Sequence, residues 1–579
     1  MKKERLREKK AEEKAQDLWN SWGLHQKMTS PWVKWYRKNI LYGLYKFNQI
    51  TKKMQKKGLF DSYTKRPINK DLKCGKFEQF NRRIDGACND LNDPLMGAAL
   101  TRFGRNVGKK YQVVKNNLLL FPNPRTISRR LLTRKTFIPN KNMNLLAVAW
   151  IQFLLHDVIS HGDNENPNEV PPFYIPLEHD DPLGTELFVP KSAIDFTRPP
   201  ALNKKVPTFL NHTTHWLDLS PVYGHNISKA QELRSFVDGQ LKLDRRGFLN
   251  RNVFGKVKTG RNENWWLGLS LIHTMMANEH NQIARNLKKA YPHFKENELY
   301  HKSRLILAAL MAKIIVKDFL PAFNRNQVFR KTLDVLYKDD LGGEKKLNQV
   351  PYAATEDFTS LYRFHSMLPD IISSKDGTHQ YELKNLRENA GEDLLHEIGI
   401  EASFRLLGSN FAGELTLFNF PKSLQNINIP LTGKMDLGTL DILRDRERGV
   451  PRYNDFRRSI GLTPIKKFED LTNDKNAVKI LKEVYHNNIE LLDLKIGTLS
   501  ESIRPTGFSL GETILHIASM MVRRKITSDR FFTSDFNEKV YTEFGMKWVL
   551  KNNMKTILLR NFPNLKKDLY GHPNPFMKW

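Results

Sequence analysis

The chain has 579 residues, 40% of them hydrophobic, and a formal charge of +31 at neutral pH; that size and composition allow a core large enough to be stable without disulfides. Its two cysteines, Cys74 and Cys88, are too few for an extracellular disulfide framework and match no zinc-ligand spacing, so both are expected as reduced thiols. The positive excess points to polyanions or anionic surfaces, but the basic residues are spread along the whole chain without a zinc finger, RNP-type motif or basic heptad region, so anionic membranes or fatty-acid anions are expected as partners and nucleic acid is not.

The first residues, MKKERLREKKAEEKAQDLW, are charged throughout and lack the apolar stretch and small-residue cleavage site of a secretory leader. Nowhere do about 18 apolar residues run without charge, so no transmembrane helix is expected. The chain is read as intracellular, soluble or peripheral to a membrane. Residues 1–55 read as a basic helical arm, in which Val33, Tyr36, Ile40, Leu44 and Phe47 recur at helical spacing with Lys34, Arg37 and Lys38 between them. That face either lies on an anionic membrane surface or packs on the main body. From Lys56 to about Thr136, Gly, Asn, Asp and Pro cluster (DGACNDLNDPLMGAAL, RFGRN, FPNPR), which predicts turn-dense, irregular structure. From Asn142 onward helical periodicity dominates, in NLLAVAWIQFLLHDVI, WWLGLSLIHTMMANEHNQIARNLKKA and ELYHKSRLILAALMAKIIVKDFL. Few segments alternate like strands, and neither a repeat nor a low-complexity linker divides the rest. Residues 56–579 are therefore expected to form one large, mainly α domain with little β structure.

Three segments carry candidate chemistry. In WIQFLLHD, Gln152 and His156 lie four apart and share one helix face, so both can look into one pocket. Taken alone, a histidine on an apolar helix is equally well a satisfied core residue. In THWLDLSPVYG, Thr214, Trp216, Asp218 and Ser220 alternate as along an extended loop. Their side-chain oxygens, with the Trp216 carbonyl, are hard ligands of the kind Ca²⁺ takes, although the string by itself also reads as a turn. In LYRFHSMLPD, His365 is expected on a helix with Tyr362 three residues earlier on the same face.

The segment Asp436 to Gly461, DLGTLDILRDRERGVPRYNDFRRSIG, closely resembles the long signature of the animal-type haem peroxidase superfamily, DLG followed by R.R..G.P.YN.FR with fixed internal spacing. The THWLDLS string resembles the calcium site of the same family, in which the acid following the distal histidine, here Asp157, completes the coordination shell. The resemblance implies a large helical fold with haem b between His156 on the distal side, next to Gln152, and His365 as the proximal iron ligand. It further implies Asp441 and Arg444 near the haem on its proximal side, and Ca²⁺ held by Asp157, Thr214, Trp216, Asp218 and Ser220. The acids that form ester links to haem in mammalian members correspond here to Leu155 and Trp265, so the haem is expected to be noncovalent. Asp441 stands where relatives often carry Asn, and a carboxylate there would push His365 towards imidazolate character.

Classical peroxidases of the superfamily carry an arginine three residues before the proximal histidine, where this chain has Tyr362. That departure resembles the cyclooxygenases and the fatty-acid alpha-dioxygenases, in which an oxidised haem makes this tyrosine a radical that abstracts a substrate hydrogen; the other reading is a tyrosine that packs in the core. The resemblance to the alpha-dioxygenases is the closest and spans roughly residues 80–560, including RRIDGACNDLNDPLMGAALTRFGRN, LLTRKTFIP, NENWWLGLSLIHTM, DRER and SDRFFTSDFNEKVYT. The cysteine module of the cyclooxygenases is absent. What this implies is addition of O₂ at the carbon next to the carboxylate of a long-chain fatty acid, giving a 2-hydroperoxide. Tyr362, His156 and Gln152 would be the catalytic residues, and Arg530 of SDRFFT would grip the carboxylate bidentately.

Two departures bear on this. The distal arginine that helps split hydrogen peroxide maps to about Asn262, with Arg261 next door. Where plant alpha-dioxygenases place a histidine and, five residues later, a threonine around the carboxylate, this chain has Ile315 and Leu320, with Lys317 as a nearby cation. The carbon oxidised and the lipid class are left open by the second. The alternative function is a haem peroxidase that uses hydrogen peroxide on small reductants.

Overall fold

The longest apolar-periodic runs of the chain become the helices that carry its core. A computed structural model describes residues 59, 72–198, 206–323, 330, 352–429, 433–502, 504 and 509–579, so the arm expected over residues 1–55 lies outside the described residues. Helix α1 (Leu145–Val158) starts where the Asn144 side chain accepts from the amide of Ala147, a side-chain cap of the favoured kind. It is apolar almost all round, as suits a helix through the middle of a large protein. Helix α2 (Leu267–Ala290) packs against it, and α3 (Glu296–Ile314) returns along α2 after a short connection.

Further helices include α4 (Glu356–Leu361), α5 (Glu388–Ile398), α6 (Leu437–Glu447), α7 (Leu494–Ser500), α8 (Glu538–Lys551) and α9 (Met554–Asn561). Lys313, buried in the last turn of α3, donates to the carbonyls of Val549, Leu550 and Asn552 at 2.8, 2.6 and 2.7 Å. A cation at the C-terminus of α8 satisfies carbonyls the helix leaves open and complements its dipole.

Strand structure among the described residues is limited to five two-stranded antiparallel ladders. One of them pairs Thr101–Arg102 with Leu210–Asn211 and brings the turn-dense N-terminal stretch against the loop of residues 212–220. Gly97 sits in this contact at φ +70°, and a Cβ there would lie 2.4 Å from the Trp216 indole nitrogen. No helix of the described residues is long and apolar enough to cross a membrane.

Cys74 and Cys88 are not the reduced thiols expected from their number: they form a disulfide, with Cα atoms 5.7 Å apart. Counting cysteines speaks to frameworks, whereas this pair is brought together by the local course of a turn-rich stretch, in which Cys88 itself takes φ +57°.

Candidate active site

On α1 the two expected distal residues differ in how they are held. Gln152 accepts from the Trp266 indole at 2.7 Å and donates to the carbonyl of Asn264 at 3.2 Å, which fixes its amide. His156 is buried, its Nδ1 finds no hydrogen-bond partner among the described residues, and its pKa lies well below the usual value. Burial is the main cause, with Arg261 and His273 adding to it, so this imidazole is neutral.

Arg261 is not aimed as a distal cation. It donates to the carbonyls of His156 and Ile159 at 2.6 and 2.8 Å and pairs with Glu263 at 3.1 Å, closing the end of α1. Asn262 donates to the carbonyl of Val257 at 3.1 Å.

On the other side the chain departs from the expected helix. Helix α4 stops at Leu361, Tyr362 caps it, and His365 opens a separate 3₁₀ turn, His365–Met367. Pro369 forces Leu368 into an extended conformation (φ −83°, ψ 132°). Arg363, between the two turns, is drawn aside to the Asp441 carbonyl at 2.6 Å and the Asp445 carboxylate at 3.3 Å.

His365 Nδ1 lies 2.9 Å from Asp441 Oδ2, which leaves Nε2 as the ring atom able to bind iron. Asp441 also accepts from Lys495. Burial alone would raise the Asp441 pKa, but Lys495, His365 and Arg363 together hold it far below the usual carboxylate range. Its neighbour Asp445 is pushed up to about 6 by burial, against the pull of Arg363 and of a 2.5 Å bond from Ser360. Neither Lys495 nor Arg363 was picked out from the sequence. Lys495 stands 54 positions from Asp441 with no motif linking them.

Tyr362 is enclosed by rings. Phe358 lies at 4.2 Å between centroids and Phe364 at 5.1 Å, and Phe364 in turn stacks on Phe323 at 6.1 Å, followed by Phe319 at 6.0 Å. Burial pushes the phenol pKa up to about 12. The aromatic row leads into the π turn Ile315–Phe319 that continues α3, with Leu320 just beyond it. Ile315 and Leu320, the positions at issue for the carboxylate, thus open and follow the turn whose Phe319 ends the aromatic row that begins at Tyr362.

Arg530 is engaged elsewhere. Its guanidinium pairs with Asp535 at 2.6 Å and donates to the carbonyls of Glu78 and Gln79, both at 2.6 Å.

The three segments are tied to one another. His161, five residues beyond His156, lies 3.0 Å from both carboxylate oxygens of Glu356, the first residue of α4. Arg448, just after α6, is 3.3 Å from the other nitrogen of the same imidazole. Arg444 bonds Glu447 at 2.5 Å, Asn164 at 2.9 Å and the carbonyl of Pro190 at 2.7 Å, so it anchors the loop that follows α1.

Next to His156, Asp157 accepts from the amide of Ser220 at 2.6 Å through Oδ1, while its Oδ2 and the Ser220 hydroxyl have no hydrogen-bond partner among the described residues. Thr214 donates to Asp218 at 2.8 Å. Burial, then the nearby Asp218, raises the Asp157 pKa to about 7. Two enclosed carboxylates with unpartnered oxygens beside them fit a hard divalent cation. Arg82, also unforeseen, joins Asp218 at 2.7 Å to Asp529 at 2.9 Å.

A family model described as "Animal haem peroxidase" matches residues 81–574, and the chain belongs to that family. Within it, the chain is similar to alpha-dioxygenases. It is 32% identical over 553 residues to alpha-dioxygenase PIOX of Oryza sativa subsp. japonica, covering 86% of each protein. Its fold superposes on the crystal structure of Arabidopsis thaliana fatty acid alpha-dioxygenase with a TM-score of 0.87 at 30% identity, over 96% of this chain and 90% of that one. The Oryza sativa fatty acid alpha-dioxygenase, solved as a variant with palmitic acid, gives 0.86 at 29% identity over 94% of both. Family membership implies haem, and the residues present fit it. His365 keeps one nitrogen free of its bond to Asp441, His156 is neutral, and neither Leu155 nor Trp265 has a carboxyl to esterify.

Proposed function

We propose that the protein is a haem-dependent fatty-acid dioxygenase that uses Tyr362 as a radical relay, takes a hydrogen from the alpha carbon of a long-chain fatty acid and adds O₂ to give a 2-hydroperoxide. The observation that carries this reading is the place of Tyr362: three residues before His365, enclosed by Phe358 and Phe364, at the head of an aromatic row, in a chain similar over most of its length to alpha-dioxygenases. In this reading haem, held through His365 Nε2, supplies the oxidising equivalent when bound.

The chain's own residues do the rest. Asp441 fixes the proximal imidazole in one orientation, Gln152 and neutral His156 on α1 would serve the distal side, and His156 would accept a proton from a hydroperoxide. With its pKa near 12, Tyr362 stays a phenol at neutral pH and gives up its electron and proton together. The resulting phenoxyl takes a hydrogen atom from the substrate carbon, O₂ adds to that carbon, and the peroxyl radical takes the hydrogen back from Tyr362, so the product leaves as the hydroperoxide and the tyrosyl radical is regenerated. Phe364, Phe323 and Phe319 keep water from the radical.

Calcium at Asp157, Thr214, Trp216, Asp218 and Ser220 belongs to the same reading. It is supported by the unpartnered oxygens there and would pin the residue next to His156. Arg530 is not used as the carboxylate anchor, because its guanidinium is already held by Asp535 and by the carbonyls of Glu78 and Gln79. Contact with an anionic membrane is part of the proposal on the strength of the +31 charge.

The test is oxygen uptake by the haem-loaded protein with a long-chain fatty acid, compared with Tyr362→Phe, with the product identified by mass spectrometry. A 2-hydroperoxide formed by the wild type alone is expected. Absence of uptake, together with peroxide-dependent oxidation of a phenol that survives Tyr362→Phe, would overturn the reading in favour of a peroxidase.

A further inference from the structure

Asp441, on which the proximal hydrogen bond ends, is shared. Its Oδ2 faces both His365 Nδ1 at 2.9 Å and the Lys495 ammonium, and its Oδ1 faces Arg363 at 3.6 Å. Arg363 reaches Asp445 at 3.3 Å as well. Lys495 also donates to the carbonyl of Arg363 at 3.2 Å. Its ammonium lies 5.7 Å from the centre of Phe420, the ring that meets His365 edge-on at 5.6 Å. Two buried carboxylates are thus matched by a buried cation, Lys495, and a half-buried one, Arg363, with the proximal imidazole among them.

The position of Lys495 is an expensive one. Its side chain is only 5% exposed, and a buried ammonium loses its hydration. It also lies in the first turn of α7, where the helix dipole disfavours a positive charge. An apolar residue would serve the packing better, so the charge answers to its partner, Asp441. A carboxylate whose charge is shared with an ammonium is a weaker acceptor for the imidazole N–H than one that bonds the imidazole alone.

We propose that Lys495 is a positioning residue for the proximal ligand: by sharing Asp441 Oδ2 with His365 it weakens the carboxylate's pull on the imidazole N–H, so that bound haem keeps a higher reduction potential than an isolated His–Asp pair would give it. This reverses the imidazolate character that Asp441 suggests from the sequence, and it rests on the proposed ligation of haem by His365. The consequence for the reaction is direct. A buried phenol that must lose an electron and a proton together needs a strong oxidant beside it, and an electron-rich imidazolate would weaken that oxidant.

The experiment uses the full-length, haem-loaded protein and two readouts: the iron–histidine stretching frequency of the ferrous form by resonance Raman, and the midpoint potential by spectroelectrochemistry. Lys495→Met is expected to raise the frequency and lower the potential. Adding Asp441→Asn to Lys495→Met should return both towards wild type, because a neutral amide stands in for a carboxylate weakened as an acceptor, while Lys495→Arg should leave both close to wild type. Wild-type values in Lys495→Met, or shifts that persist undiminished in the double variant, would overturn the proposal. If Lys495→Met does not fold, the charge-neutral double variant carries the test. Wild-type frequency and potential are expected there, whereas a lower frequency with a higher potential would mean that the wild-type Asp441 acts as an unshared anion. An iron–histidine band that survives His365→Ala would instead remove the ligation itself, a failure distinct from that of Lys495.

Discussion

Replacing Arg82 by methionine removes a guanidinium that joins two buried carboxylates, Asp218 at 2.7 Å and Asp529 at 2.9 Å, with all three side chains no more than 5% exposed. Methionine fills similar space but leaves both acids without that charge. Breaking a buried pair in this way costs about 3–5 kcal/mol. Here Lys525 still faces both acids and Arg304 lies 3.9 Å from Asp218, so the lower figure applies. A chain of this size unfolding as one unit gains roughly 1 kcal/mol per kelvin in entropy, so Tm should fall by about 3 °C in the presence of a chelator. Calcium between Asp157 and Asp218 would supply much of the missing positive charge, and the deficit against wild type should then shrink. Differential scanning calorimetry of the haem-loaded wild type and Arg82→Met, each with chelator and with millimolar calcium, measures both differences. A deficit that is the same in chelator and in calcium would refute the idea that Arg82 and the metal act on the same carboxylate.

Ile315→His combined with Leu320→Thr should place a carboxylate partner at the turn where the aromatic row from Tyr362 ends. One charged hydrogen bond is worth about 1.5–3 kcal/mol, so KM for a long-chain fatty acid in oxygen-uptake assays should fall by about tenfold or more. An unchanged KM would take that turn out of the path of the substrate head group. In acid, the buried histidines, among them His215, His273, His301 and His516, should drive a loss of stability. Burial, reinforced by nearby cations, depresses each of these four to about 3. Their unfolded forms bind protons from about pH 6.5 downward while the folded forms do not. The stability they contribute is therefore complete above that pH and declines as pH falls through the window, by up to about 1.4 kcal/mol per pH unit for each. Glu279, raised to about 7, and Asp445, raised to about 6, gain stability over the upper part of the same window and offset part of that loss. A Tm that stays level between pH 6.5 and 4.5 would contradict this balance.

The segments that could be read from the sequence are those in which local pattern and final environment coincide. Helix α1 was legible, along with Gln152 and His156 on one face, because a nearly uninterrupted apolar run has few alternatives to a buried helix. The same reasoning carried one helix too far at LYRFHSMLPD. Periodicity there suggests a continuous turn from Tyr362 to His365, but Pro369 and the pull of Asp441 and Asp445 on Arg363 divide it. The disulfide escaped because cysteine number says nothing about a tight local chain path. Charge was the least legible property. Arg530 has the residue type and neighbours of a carboxylate anchor, yet the carbonyls of Glu78 and Gln79, more than four hundred positions away, engage its donors. Arg82 with Asp529, 447 positions apart, leaves no local trace at all.

These distant charges decide which chemistry the site favours. A peroxidase is served by a cation on the distal side and an electron-rich ligand on the proximal side, both of which promote cleavage of the O–O bond. In this chain Arg261 donates to the carbonyls of His156 and Ile159, and Asp441 shares its charge with Lys495. A phenol occupies the position at which classical peroxidases carry an arginine, and burial raises its pKa further above neutrality. In the proposed reading each change would weaken peroxide turnover, and the last two would also favour hydrogen-atom transfer through Tyr362: one would preserve the strength of the oxidant, the other would keep the hydrogen on the relay until it is taken. If the proximal side is tuned in this way, Asp441→Asn/Lys495→Met should retain oxygen uptake with a fatty acid while Lys495→Met loses most of it, and peroxide-dependent phenol oxidation should move in the opposite sense. Parallel loss of both activities in Lys495→Met, unrelieved by Asp441→Asn, would mean that the lysine serves the fold and not the partition between the two reactions.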